Sequence, residues 1–221
     1  MSTTADAVYS RSGINGKIWR GKKKGGMLGK LGIMKDKIVF DVETKNAFED
    51  VGGRDNLEKL DVSVVCVYSY NHDTYASYRE GEWDKLAPVL QNAGLVIGFA
   101  ITRFDLPVLK KYFPFNVMAL PRLDLLDEIE LAYGARVSLD VLAKANLGTQ
   151  KTSHGLQAIE FYKKGEWDKL IEYCTHDVRI TKQLYDLMKK QGFVNIPKRY
   201  TNEMVKVPIN IREIEIPATL F

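Results

Sequence analysis

The stretch Lys37-Ile38-Val39-Phe40-Asp41-Val42-Glu43-Thr44 is an apolar segment that ends in two acids one residue apart. β-Branched and aromatic residues dominate it and polar residues bound it, so it reads as a buried strand. Side chains alternate along a strand, which sends Asp41 and Glu43 to the same face. Two readings follow from this stretch alone. Either the pair grips one cation with two carboxylate oxygens, or it marks the point at which the strand leaves the core. Further acids that return to this strand end would decide between them.

Downstream, residues 45–60 are polar and contain glycine, which predicts a long loop beside the acidic pair. Residues 62–70 and 74–78 read as two more strands joined by a turn at Asn71-His72-Asp73, an antiparallel meander. A helix over residues 82–91, with Trp83, Leu86, Val89 and Leu90 on one side, leads to a short buried strand at 95–98. From here strands alternate with helices. A helix over 103–112 is entered through Phe104-Asp105-Leu106-Pro107, with the proline tolerated in the first turn. A fifth strand is expected at 117–122, a helix at 123–133, and another helix after a Ser138 cap.

The strongest helical pattern runs over residues 166–190, where Leu170, Cys174, Asp177, Val178, Thr181, Leu184 and Leu187 recur at spacings of three and four. Asp177 falls among the apolar positions, and Tyr173, four residues earlier, shares its surface. An acid on a buried face needs a partner: a cation, an arginine or a backbone amide. Asp105 has two readings as well, a ligand or an acid that complements a helix dipole. The hexapeptide Gly-Glu-Trp-Asp-Lys-Leu occurs at 81–86 and at 165–170 without similarity beyond it, so both copies read as helix starts with an aromatic anchor. The tail from residue 193 alternates apolar residues at Val205, Val207, Ile209 and Ile211, then Ile214 and Ile216, and is expected to add one or two strands.

With 221 residues, 45% of them hydrophobic and 27% charged, the composition suits a globular domain with a full core plus extensions. No apolar run approaches the roughly 20 residues that span a bilayer, and no signal-peptide order opens the chain, so a cytoplasmic protein without a membrane partner is expected. Cys66 and Cys174 lie in apolar segments without metal-type spacing and read as reduced, buried thiols. The net charge of +4 conceals an asymmetry: residues 1–37 carry nine Lys or Arg against Asp6 and Asp36, which leaves the rest at −3. Residues 1–36 therefore read as a flexible basic arm, either a leader or a segment that meets nucleic-acid phosphates.

The acids Asp41-Val42-Glu43, the segment Gly98-Phe99-Ala100-Ile101-Thr102-Arg103-Phe104-Asp105 and the segment Tyr173-Cys174-Thr175-His176-Asp177 appear in an order and spacing that resembles the DEDD 3′–5′ exonucleases of the RNase H-like superfamily. The tyrosine four residues before the last acid matches their DEDDy branch. The run from Ser138 through Leu147-Gly148 to Tyr173-Cys174 is most similar to YprB-like exonuclease domains. The resemblance covers about residues 37–190 and implies an α/β fold: a mixed five-stranded sheet, three antiparallel strands then two parallel ones, flanked by helices. It assigns residues 37–192 to the exonuclease domain and 193–221 to a C-terminal extension.

It further implies two divalent cations, Mg²⁺ or Mn²⁺, held by Asp41, Glu43, Asp105 and Asp177, and hydrolysis at the 3′ end of single-stranded DNA or RNA. Two cations about 3.5–4 Å apart activate the attacking water and stabilise the leaving oxygen. Tyr173 would orient that water, because a phenol with a pKa near 10 is a poor base at neutral pH. Thr44, Phe99, Ala100 and Phe104 fall at substrate-facing positions, the two rings being able to stack on terminal bases, with helix packing the favoured role for Phe104. The family usually carries Asn where this chain has Ala100. His176 stands four residues from the position at which the histidine branch places its histidine, here Glu172, and is left outside the ligand set. Because Ala100 lacks the amide, a second reading stands beside the enzyme: a weakly active or inactive nucleic-acid-binding module of a larger helicase or polymerase assembly.

Overall fold

In a computed structural model of the protein, residues 35–149, 156–201 and 203–213 are described. Residues 1–34 of the basic arm read over 1–36 and the strand positions Ile214 and Ile216 lie outside them. The acidic strand, β1 (Asp36–Thr44), is the middle of a five-stranded sheet. It pairs antiparallel with β2 (Val62–Ser69), Asp41 opposite Cys66 and Glu43 opposite Val64, and β2 pairs antiparallel with β3 (Thr74–Arg79). On its other side β1 pairs parallel with β4 (Ala93–Gly98), and β4 with β5 (Arg122–Asp124). The order β3-β2-β1-β4-β5 is the expected mixed sheet.

Both faces of the sheet are covered. Ile38, Phe40 and Val42 enter one core with Leu86 and Leu90 of α1 (Trp83–Gln91) and Leu106 and Leu109 of α2 (Asp105–Leu109). Val39 enters the other, with α3 (Leu125–Tyr133), α4 (Leu139–Leu147) and the 25-residue α6 (Trp167–Gln191). Asp41 and Glu43 continue the Val39 face and so lie beneath α6. The hairpin of β6 (Phe193–Pro197) and β7 (Met204–Pro208) packs Val194, Ile196 and Val207 into the α6 core. Asn146 of α4 mimics a neighbouring strand there, donating to the Asn195 carbonyl and accepting from the Asn195 amide, both at 2.8 Å.

Several elements differ from the sequence reading. Residues 117–122 are not the fifth strand: Val117–Ala119 forms a 3-10 turn because the Asn116 side chain accepts from the Met118 amide at 3.0 Å. The strand begins at Arg122, and α3 accordingly at Leu125 rather than 123. The 103–112 helix is shorter, Asp105–Leu109 followed by a 3-10 turn, because residues before Asp105 form a separate turn. The 45–60 loop contains 3-10 turns at Glu49–Val51 and Arg54–Lys59. The helix α5 (Leu156–Lys163) has no counterpart in the sequence reading, since it buries only Ala158 and Ile159 and shows little periodicity. The repeated hexapeptides do start helices, Trp83 meeting Tyr112 at 5.3 Å and Trp167 meeting Tyr162 at 5.5 Å between ring centroids. Among the described residues no helix is long and apolar enough to cross a membrane.

Gly98 ends β4 under close constraint. A Cβ there would stand 2.1 Å from Ile101 Cγ2 and 3.2 Å from the Phe40 carbonyl oxygen. Gly98→Ala is therefore expected to lower stability by about 2 kcal/mol or more, through overpacking rather than a cavity. A urea midpoint within error of the parent would show that the turn after β4 is not held by this contact.

Candidate active site

β1 is paired on both sides as far as Val39; from Asp41 to Thr44 it pairs with β2 alone, and α6 crosses its acidic face. Asp41, Glu43 and Asp177 each present a carboxylate oxygen within 4.8 Å of the other two. Asp41 and Glu43 are half-buried, whereas Asp177 is 4% exposed. Tyr173 lies one helical turn before Asp177 on the same buried stripe of α6. The Cys174 thiol donates to the Asp41 carbonyl at 3.4 Å and reaches its Oδ2 at 3.6 Å. Burial pushes this thiol well above its ordinary pKa, with Cys66 beside it and the charges of Asp41 and Glu43 adding. It therefore remains a neutral donor behind the site and not a soft ligand within it. Both cysteines are free and buried, as expected.

Asp105 approaches from the opposite side of β1. Its Oδ1 accepts from the Val42 amide, between the first two acids, at 3.0 Å. It stands outside the three-acid group but is bound to the backbone that carries two of its members. Burial pushes its pKa up to about 8; the charges of Asp124 and Asp177 act in the same direction, and its own amide and that of Val42 oppose them.

The turn between β4 and α2 carries the remaining residues. Ala100 has φ of +66°, the left-handed region, which costs a residue with a Cβ roughly 1–2 kcal/mol and which Asn and Gly adopt more readily. Its amide donates to Asp124 Oδ1 at 2.8 Å. Phe99 is half-buried against the α6 core, and Phe104 against the opposite core, where its ring meets Phe48 at 5.8 Å. The two rings thus pack on opposite faces of the sheet. Thr44 ends β1, and its hydroxyl donates to the Asn46 carbonyl at 2.9 Å. His176 is half-buried on α6.

The sequence reading missed Asp124. It is 4% exposed and caps α3 by accepting from the Leu126 amide at 3.0 Å. The cap was legible from an acid that precedes an apolar helix. Its second bond, to the turn at Ala100, joins residues 24 apart and leaves no local signal.

The raised pKa of Asp105 has a signed consequence for the cation-free protein. Its contribution to stability is fully present below about pH 4 and is lost as pH rises through about 8. In EDTA, the melting temperature should fall between pH 6 and 9 in wild type and fall less in Asp105→Asn, which stays neutral. Parallel pH profiles for the two proteins would refute the assignment.

Residues 27–192, well over half of the chain, match the family described as 3′–5′ exonuclease. No protein of curated function matches the sequence. Among solved structures, the family B DNA polymerase from the hyperthermophilic archaeon Pyrobaculum calidifontis is similar with a TM-score of 0.54 and 16% identity over 75% of this chain. The chain spans 25% of that polymerase's length, and the likeness is one of fold, the mixed RNase H-like sheet with flanking helices. The match over β1 to α6 includes the strand and the helix that bring the acids together, and the chain belongs to the 3′–5′ exonuclease family.

Proposed function

We propose that this chain is a metal-dependent exonuclease of the DEDDy type, most like YprB-like domains, that hydrolyses phosphodiester bonds at the 3′ ends of single-stranded DNA or RNA. The observation that carries the reading is the approach of Asp41, Glu43 and Asp177 to within 4.8 Å of one another beneath α6, beside Tyr173. An all-oxygen donor set of this kind fits hard cations such as Mg²⁺ or Mn²⁺. Asp41, Glu43 and Asp177, together with Asp105, would hold the cations. Cations bound there supply an acidified attacking water and charge stabilisation of the leaving 3′ oxygen.

The chain's own groups supply position. Asp177, held on a buried stripe of a long helix, and the β1 acids, held in a central strand, keep their carboxylates close without a flexible loop. Tyr173 orients the attacking water through its hydroxyl. Phe99, Thr44 and the Ala100 turn border the strand ends and receive the terminal nucleotide, while Phe104 packs against Phe48 on the other face of the sheet. A second reading rests on Ala100: its methyl group offers no hydrogen bond to a substrate, which favours a module that binds single strands with little turnover in a polymerase or helicase assembly.

Incubating 5′-labelled single-stranded DNA and RNA with Mg²⁺ or Mn²⁺ should yield a ladder shortened from the 3′ end, abolished by EDTA. Binding without shortening would select the second reading. Asp41→Ala and Asp177→Ala should each lose more than about 100-fold in rate with the fold retained, since losing a ligand exceeds the 10–100-fold typical of a group behind the ligands. Wild-type cleavage by either would falsify the assignment.

Tyr173→Phe should slow the single-turnover rate roughly 10- to 100-fold at unchanged Mn²⁺ dependence, because the ring still packs and no ligand is removed. An unchanged rate takes the tyrosine out of the mechanism.

A further inference from the structure

Asp124 forms more hydrogen bonds than a helix cap requires. Its Oδ1 accepts from the Leu126 amide at 3.0 Å, which alone would cap α3. The same oxygen accepts from the Ala100 amide at 2.8 Å, and Oδ2 accepts from the Thr102 amide at 2.9 Å. Serine or threonine serves as well as aspartate for a cap. Only a carboxylate offers two acceptor oxygens with a full charge to span the two further amides. Amides of a turn that converge on an anion around a left-handed residue form an anion-binding concavity, and here the anion is supplied from within the chain.

What this concavity holds is the approach to Asp105. The Ala100 carbonyl accepts from the Arg103 amide at 3.2 Å and the Phe104 amide at 3.1 Å, and the Ile101 carbonyl from the Leu106 amide at 3.0 Å. The turn is thus continuous with the first residues of α2, and Asp105 at its start reaches the Val42 amide. Gly98 presses the other end of the turn against β1. With alanine at position 100, the residue's own side chain supplies no hydrogen bond to keep it in the left-handed region. The two bonds from Asp124 do this instead.

We propose that Asp124 is the positioning residue of the exonuclease site: by binding the Ala100 and Thr102 amides it fixes the turn that delivers Asp105 to the backbone between Asp41 and Glu43. This role touches neither substrate nor cation, and it rests on the exonuclease reading for its kinetic consequence.

Asp124→Ser keeps an acceptor for the Leu126 amide and is too short to bridge the turn. It should cut the single-turnover rate roughly 10- to 100-fold and raise the Mn²⁺ concentration for half-maximal rate. Amide exchange should speed over residues 98–105 and stay slow in α3. Asp124→Asn, with one acceptor oxygen left, should fall between serine and wild type, and it decides the matter if the serine variant does not fold. Ala100→Gly, which introduces a residue that adopts positive φ without cost, should make the loss on removing Asp124 smaller than in the parent. A wild-type rate and Mn²⁺ dependence in Asp124→Ser would overturn the proposal, as would equal losses with and without the Ala100→Gly change. If wild type does not cut, the exonuclease reading fails separately. Mn²⁺ affinity measured by calorimetry then tests Asp124, weaker binding in the serine variant supporting it and equal binding, or none in wild type, overturning it.

Discussion

The alternation of side chains along the central strand is the constraint on which this molecule depends. Ile38, Phe40 and Val42 enter one core while Val39, Asp41 and Glu43 face α6. Sliding β1 by one residue would exchange those sets, burying two carboxylates among leucines and forcing three large apolar side chains into positions shaped for Val39, Asp41 and Glu43. Pairing with β2 on one side and β4 on the other makes such a slip costly. The same registry that secures the hydrophobic cores therefore aims the acids, and the stability of the sheet and the geometry of the site have one origin.

Bringing carboxylates together opposes folding, and the structure handles two of its buried acids, Asp105 and Asp124, in different ways. Asp124 spreads its charge over three backbone amides from two elements. Asp105 receives the Val42 amide and its own, too little to offset its burial, so its pKa rises to about 8. The neutral Cys174 thiol adds a donor beside Asp41 without adding a charge.

The departure at Ala100 takes on a different meaning once its backbone is known. The left-handed φ of +66° is a conformation that asparagine would adopt at less cost. The turn has kept its shape with alanine there because its amides are held from a distance. The absence of a side-chain amide at position 100 is thus separable from the shape of the turn that leads to Asp105.

The sequence alone determined the pairing of Asp41 with Glu43 on one face and the placement of Asp177 beside Tyr173, because these follow from the two-residue and 3.6-residue periods of strand and helix; the mixed sheet followed only from the family resemblance. Its motif spacing also pointed to the family. Tertiary structure decided what periodicity cannot carry. Taken alone, Asp105 read better as a dipole acid, and its bond to Val42, 63 residues away, joins it to the strand that carries the other acids. The fifth strand lies a few residues later than its apolar pattern suggested, because Asn116 offered the backbone a local bond. Asp124 went unread; its cap on α3 is a local event that the sequence could have shown, whereas its hold on the Ala100 turn comes from parallel pairing of β4 with β5, which sets Gly98 opposite Asp124. Contacts of that kind arise between elements brought together by the sheet, and no local pattern of residue types encodes them.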